Sequence, residues 1–314
     1  MMIHPLVSVI TVTYNSASYV RDAIEGVLSQ SYPNLEYIIA DDSSTDSTWN
    51  IIGSYHDSRI VSYRNEENLG EYANRNKAIE LATGKYLIFI DGDDLIYPHG
   101  IENYVKFAEA YPEVPLVIQK GYVNNVIFPV VTQPGQTLSN TYFGNNAMLT
   151  SSFASNFFHT QTLKKAGKLN TQYKTGDEEV RLRIASRYPT LFIPGWLSWP
   201  RETPGQASSK LIHGIGQAEM FAYSTEILKT TSAVDESVKQ DIENSLKKKL
   251  AQQVLRNFIK RRVKTNKAIF QITGLHFKEL MKFLRYTAEG HDFLKEYSPA
   301  NPFRTELHPV EVTE

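Results

Sequence analysis

Short apolar runs rich in β-branched residues alternate with longer stretches of helical period along the N-terminal part of the chain. Val7 to Val12 reads Val-Ser-Val-Ile-Thr-Val, and similar runs follow at 36–40, 60–63, 86–90 and 116–118. Between the first two, Val20, Ala23, Ile24, Val27 and Leu28 recur at the spacing of one helix face. The stretch 71–83 carries Ala73, Ala78, Ile79 and Leu81, and 98–111 opens with Pro98, a residue favoured in a first helical turn. Strands and helices joined by short links predict a doubly wound α/β sheet whose opening unit is βαβ. Residues 121–150, rich in Asn, Gly, Thr and Pro, show no period and read as a variable loop region with short strands. From about Gln217 to His291 the period is helical again, and the proline-bearing stretch after Tyr297 reads as a loosely ordered tail.

The polar residues gather where the apolar runs stop. Asp91-Gly92-Asp93-Asp94 directly follows Tyr86-Leu87-Ile88-Phe89-Ile90, crowding three carboxylates at the mouth of a buried strand. Like charges this close repel by several kcal/mol at intermediate dielectric, so the cluster calls for a divalent cation or for raised pKa values. An isolated Asp-Gly-Asp turn is equally well a solvated connection. A second acidic turn, Asp41-Asp42-Ser43-Ser44-Thr45-Asp46, ends the run 36–40, with Ser44, Thr45 or Asp46 able to cap the next helix. The first run ends in Thr13-Tyr14-Asn15. Three strand ends on one sheet edge form the kind of crevice where open α/β sheets bind ligands.

In order and spacing, Val9-Ile10-Thr11-Val12-Thr13-Tyr14-Asn15, Ser29-Gln30-Ser31-Tyr32, Asp41 to Asp46, Asn68-Leu69-Gly70 with Arg75-Asn76, and Asp91-Gly92-Asp93-Asp94 resemble the consensus of the family 2 inverting nucleotide-sugar glycosyltransferases. The resemblance covers roughly residues 5 to 210 and implies the GT-A fold: a doubly wound mixed sheet with a Rossmann-like nucleotide-binding half. It divides the chain into a catalytic domain over 1–215, a helical extension over 216–297 and a tail over 298–314.

It also implies roles. Tyr14 would lay its ring on the nucleotide base, and Asp42 would accept the N3–H that uracil and thymine have and cytosine lacks, which favours a UDP-sugar donor. Asp91 and Asp93 match the family's DXD signature, Asp93 holding Mg²⁺ or Mn²⁺ and Asp91 approaching ribose or metal-bound water. A hard cation with oxygen ligands suits that place and would neutralise the departing diphosphate. Asp94 would orient either the metal site or the donor sugar. Arg75 matches a nucleotide-binding position, or else pairs with Glu71 four residues earlier. Arg201 or Lys210, near the Thr203–Lys210 loop, would meet phosphate oxygens or remain surface charges, and His213 is a weaker candidate for metal or phosphate.

The general base of the family falls within Thr175-Gly176-Asp177-Glu178-Glu179-Val180-Arg181-Leu182-Arg183-Ile184, which places Asp177 on the catalytic position. Where relatives commonly carry Glu-Asp this chain has Gly176-Asp177, so Glu178 and Glu179 stay open as alternatives, as does an acidic first turn favoured by the helix dipole. A carboxylate is a far weaker base than an alkoxide and would take the acceptor's proton only as the new bond forms. In-line displacement then inverts the anomeric centre. The Gln-x-x-Arg-Trp motif of processive synthases is not found, which favours single additions to a glycan or lipid-linked acceptor in cell-surface polysaccharide assembly.

Composition narrows the rest. A net charge of −1 gives no general attraction to nucleic acid, and the lack of cysteine excludes disulfides and zinc thiolates. Neither a membrane span nor a signal peptide is legible, which leads to the expectation of a cytoplasmic protein. Basic residues crowd the helical extension, among them Lys247–Lys249, Arg256, Lys260–Arg262, Lys264 and Lys267. They suit peripheral contact with an anionic membrane, or a solvated face of helices packed on the catalytic domain or on another subunit of a homo-oligomer. A nucleotidyltransferase would place a Gly-rich loop where Tyr14-Asn15-Ser16 stands, and a dinucleotide oxidoreductase needs Gly-x-Gly-x-x-Gly there. A non-catalytic carbohydrate-binding protein is the remaining rival.

Overall fold

The structure is a computed structural model and describes residues 4–121, 126–143, 148–203 and 215–286. Strand β1 (Val7–Thr13) lies between β2 (Leu35–Asp41) and β4 (Tyr86–Phe89), parallel to both, and β3 (Ile60–Arg64) continues the sheet beyond β2. Helices α1 (Val20–Leu28), α2 (Thr48–Gly53) and α3 (Glu71–Leu81) supply the returns. From β1 the chain steps outward to β2 and β3, then crosses to the other flank for β4. Strand order therefore reverses between β1 and β4, beside the three strand ends that carry the polar motifs.

Beyond β4 the sheet becomes mixed, as expected. β8 (Asn156–His159) runs antiparallel between β4 and β6 (Leu116–Lys120); β9 (Thr190–Pro194) is parallel to β6, and β7 (Val130–Thr132) closes the edge antiparallel to β9. The eight strands follow the order β3-β2-β1-β4-β8-β6-β9-β7. A separate two-stranded ribbon pairs β5 (Leu95–Ile96), just after the acidic loop, with β10 (Ser198–Trp199).

Strand residues alternate between two cores. Val7, Val9, Tyr37, Ile39, Ile88, Val117 and Phe157 face α1, α2 and α4 (Gly100–Ala110). Ile10, Ile38, Ala40, Leu87, Phe89, Ile118 and Phe158 face α3, α5 (Pro134–Tyr142), α6 (Thr160–Lys165) and α7 (Gly176–Ala185). Burial on both sides explains why these strands read as nearly continuous apolar runs.

Two local expectations are corrected. Pro98 does not occupy the first turn of α4, because a bonded turn from Tyr97 to Gly100 precedes it and Gln30 Oε1 accepts from the Ile101 amide. The 121–150 stretch holds a helix, α5, which starts at Pro134 behind a reciprocal Gln133–Gln136 capping pair. Polar Thr, Ser and Asn at its buried positions hide the apolar period there.

Four further helices follow: α8 (Ile215–Thr230), α9 (Glu236–Ile259), α10 (Val263–Thr273) and α11 (Phe277–Met281). Ala218, Phe221, Ile242, Leu246, Leu250, Val254, Ile269 and Leu280 join the same apolar cluster as the α3 side of the sheet, so the extension completes that core. Phe258 and Ile259, in helical register with those core residues, are exposed instead. The expected tail over 298–314 lies outside the described residues, as do Lys210 and His213.

Candidate functional site

Asp41 and Asp42 close β2 and point to different work. Asp41, fully buried, accepts from the Thr13 hydroxyl at 3.0 Å and the Ser44 amide at 3.0 Å, pinning the ends of β1 and β2 together. The Asp42 carboxylate accepts from Asn65 Nδ2, the Leu69 amide and the Gly70 amide, each at 2.9 Å. It thereby folds the Asn68-Leu69-Gly70 loop over the strand end, where Gly70 takes a left-handed φ of 85°. Three of about four acceptor positions on Asp42 are filled, two of them on Oδ1. Tyr14, directly after the Thr13 that ends β1, is half-exposed.

The acidic loop turns back against β1. The Gly92 amide donates to the Val12 carbonyl, and a Cβ at Gly92 would lie 2.9 Å from Thr13 Cγ2, so only glycine fits this approach. Asp91 Oδ2 accepts from Arg75 Nη2 at 2.9 Å, while its Oδ1 is buried without a partner. Asp93 Oδ2 accepts from the Thr203 hydroxyl at 2.8 Å, and burial, reinforced by Asp91, raises its pKa. Asp94 is buried and accepts from the Arg201 amide at 3.0 Å; burial first and the Asp91 charge second push its pKa up to about 8.

These acids fit a hard divalent cation of the Mg²⁺ or Mn²⁺ type. Asp91 Oδ1 is an orphaned carboxylate oxygen beside the partly buried Asp93 and the buried Asp94 carboxyls, and such ions commonly take one or two carboxylates plus substrate phosphates. Among the described residues no three acidic or histidine side chains converge into a cage.

Arg75 makes the pair with Glu71 that the sequence allowed and adds two further kinds of contact. It is buried, pairs with Glu71 at 2.9 Å and with Asp91 at 2.9 Å, and lies over the rings of Phe89 and Phe153 at 5.3 and 4.9 Å. Its Nε and Nη1 are buried without hydrogen-bond partners. Arg201 is engaged within the protein: Nε donates to the Asp93 carbonyl at 3.0 Å, Nη2 pairs with Asp22 at 2.8 Å, and the guanidinium stacks over Tyr19 and Trp199.

Asp177 enters from α7, in its first turn. Tyr72 Oη lies 3.1 Å from Asp177 Oδ1 and 2.9 Å from the Lys174 carbonyl, and its single proton serves one of them at a time. Arg181, almost wholly buried, reaches Asp177 Oδ2 at 3.2 Å and the Ser151 carbonyl at 2.9 Å. Tyr72 and Arg75 stand three residues apart on α3, on neighbouring positions of one face, so a single helical turn touches both Asp177 and Asp91. Glu178 meets the Tyr223 hydroxyl at 3.2 Å, and burial raises its pKa, with Asp177 adding to the effect. Glu179 is buried in a bidentate pair with Arg183. Gly176 has a local reason to be glycine, since a Cβ would sit 2.8 Å from the Asn170 carbonyl and 3.1 Å from the Tyr72 ring.

Several of these side chains were not singled out in the sequence. Arg181 was signalled by its i,i+4 spacing from Asp177. Tyr72 had no signal beyond its place in α3. Glu219 on α8 accepts from the amides of Lys174 and Thr175 and from the Thr175 hydroxyl at 2.9–3.1 Å, tying the start of α7 to the extension. That contact spans more than forty residues and leaves no local pattern.

The model of glycosyl transferase family 2 matches residues 8–167. The chain is 43% identical over 104 residues to WfaP of Escherichia coli, a UDP-Glc:alpha-D-GlcNAc-diphosphoundecaprenol beta-1,3-glucosyltransferase, covering 33% of this chain and 41% of that protein. It is 46% identical over 105 residues to TuaG of Bacillus subtilis, a putative teichuronic acid biosynthesis glycosyltransferase, covering 33% and 42%. The matches thus span less than half of these relatives' lengths. Among solved structures, S. aureus TarS in complex with UDP-GlcNAc superposes with a TM-score of 0.60 at 19% identity over 93% of this chain and 80% of that one. The mannosyltransferase PcManGT from Pyrobaculum calidifontis, in complex with GDP-Man and Mn²⁺, gives 0.62 at 16% identity over 90% and 86%. These two likenesses show the shared fold.

Proposed function

Because the chain belongs to glycosyl transferase family 2 and has the GT-A fold, we propose that it is an inverting transferase moving a sugar from a UDP-sugar to a hydroxyl of a glycan or lipid-linked acceptor in cell-surface polysaccharide assembly. The observation that carries this reading is the single turn of α3 holding Asp177 through Tyr72 and Asp91 through Arg75. That shared turn supports reading one carboxylate as the base and the other as part of the donor's anionic site. The bound nucleotides of the two solved neighbours and the lipid-linked acceptor in the WfaP name support the substrate classes.

In this mechanism Tyr14 stacks on the uracil ring and Asp42 Oδ2 accepts its N3–H with the acceptor position it has left. Asp91 and Asp93 would hold Mg²⁺ or Mn²⁺, which would supply charge neutralisation for the departing diphosphate. Arg201 meets the phosphates by exchanging its contact with exposed Asp22. Asp94, buried against the same loop, orients the metal site or the donor sugar. Tyr72 and Arg181 aim the Asp177 carboxylate. As the acceptor oxygen bonds to the anomeric carbon, its proton passes to Asp177. The old carbon–oxygen bond breaks on the opposite face, and its electron pair leaves with UDP.

Isothermal titration of UDP with Mn²⁺ tests the donor half, and hydrolysis or transfer from a panel of UDP-sugars tests the chemistry. Asp93→Ala should abolish Mn²⁺-dependent UDP binding. Asp177→Asn should retain that binding and lose transfer. Unchanged UDP affinity in the first variant, or wild-type turnover in the second, would reject the respective assignment.

A further inference from the structure

The corner between α9 and α10 is built unlike the rest of the surface. Helix α9 ends at Ile259, Arg261 turns the chain with a left-handed φ of 54°, and α10 begins at Val263. At this corner Ile259 is 83% exposed, Val263 63% and Phe258 47%. Phe277 of α11, 41% exposed, packs edge-on against Phe258 with ring centroids 5.5 Å apart. Four apolar side chains thus share one projecting corner. Nothing in the core requires this, since Leu250, Val254 and Ile269 already bury the inner faces of the same helices.

Charge is distributed as unusually as apolarity. From Asn244 to Lys278 the chain contains no aspartate or glutamate, while Lys247, Lys248, Lys249, Arg256, Lys260, Arg261, Arg262, Lys264, Lys267 and Lys278 all lie in that span. Lys260, Arg261, Lys264, Lys267 and Lys278 are exposed around the apolar corner, and among the described residues they pair with no carboxylate. The whole chain carries a net charge of −1, so this positive surface is concentrated and balanced elsewhere.

We propose that this corner docks on an anionic lipid bilayer, with Ile259, Val263, Phe258 and Phe277 entering the headgroup–acyl boundary and the surrounding lysines and arginines meeting lipid phosphates. Charge complementarity and apolar exposure each demand part of that partner. A nucleic-acid backbone would satisfy the cations but give the aliphatic side chains of Ile259 and Val263 nothing to enter. A second copy of the chain would oppose this positive surface to itself. Among the described residues no helix is long and apolar enough to cross a membrane, so the contact is peripheral. The proposal stands apart from the donor and base assignments and does not require them.

Flotation of the full chain with vesicles of phosphatidylcholine plus phosphatidylglycerol, and with phosphatidylcholine alone, tests it. Binding is expected only to the anionic vesicles and should weaken as salt rises. Each basic side chain at an anionic surface strengthens binding about fivefold, so Lys260→Glu with Lys264→Glu should weaken it by about 25-fold or more. Ile259→Ser with Val263→Ser should lower binding at every salt concentration. All four positions are exposed, and unchanged circular dichroism melts would certify the variants' folds. Equal binding to neutral vesicles, or indifference to both double variants, would overturn the proposal. So would duplex DNA binding that outcompetes the vesicles, a shift of the free chain to a dimer abolished by the same variants, or vesicle binding that appears only after residues 287–314 are removed.

Discussion

Replacing Arg75 by methionine removes the charge while leaving an unbranched, polarizable side chain in the slot between Phe89 and Phe153. The pair with Glu71 contributes little, because the Glu71 side chain is 43% exposed and surface pairs contribute about 0–1 kcal/mol. Asp91 weighs more. Its side chain is 26% exposed and its Oδ1 already lacks a partner, so losing the 2.9 Å bond leaves a largely buried carboxylate bare, at about 2–3 kcal/mol. The two cation–ring contacts add about 0.5–1 kcal/mol each, part of which methionine restores through sulfur–aromatic contact. Together the loss should be about 3–4 kcal/mol, read as a lower midpoint at unchanged slope in urea denaturation without nucleotide or metal. Combining Arg75→Met with Asp91→Asn should recover a substantial part, since the stranded charge is then gone. A single-variant loss below about 1 kcal/mol, or no recovery in the double variant, would refute the view that Arg75 stabilises the site by holding Asp91.

Three other outcomes are expected. Asp94 holds its proton in the folded state up to about pH 8, whereas an unfolded aspartate releases it near pH 4, so stability should fall as pH rises through that window. Asp94→Asn should flatten that fall in denaturation curves taken between these values, and an identical pH slope in variant and wild type would contradict it. Tyr72→Phe removes the hydroxyl beside Asp177 and should lower kcat about tenfold with UDP affinity unchanged, measured by transfer kinetics and titration. Gly176→Ala should cost about 1–3 kcal/mol in thermal denaturation through its contacts with the Asn170 carbonyl and Tyr72 ring, and a neutral result would show that the backbone gives way.

The half built on β1, β2 and β4 is legible in the sequence because its determinants are local. Val7–Thr13, Leu35–Asp41 and Tyr86–Phe89 are apolar on both faces, and each passes into a motif whose spacing survives as geometry around Thr13, Asp42 and Asp91. The other half depends on partners far apart in the chain. Tyr72 meets Asp177 across 105 positions, and nothing near either residue foretells it. Helix α5 is hidden in the sequence because Thr137, Ser139 and Asn140 stand at buried positions where an apolar period would otherwise show, although Pro134 and the Gln133–Gln136 pair mark its start. Phe258 and Ile259 continue the apolar register of α9 past the point where the core ends, so periodicity alone gave them the wrong surroundings.

The grip of Glu219 on Lys174 and Thr175 reaches beyond helix packing. The family match stops at residue 167, before Asp177, and the helix that steadies Asp177's turn begins only at Ile215. A fragment trimmed to the shared family region would keep β1, β2 and β4 yet arrive without Asp177, the proposed proton acceptor. One trimmed just ahead of α8 would carry that acceptor on an untethered stem. Shortened versions of this protein should therefore lose catalytic competence well before they lose the capacity to bind a nucleotide.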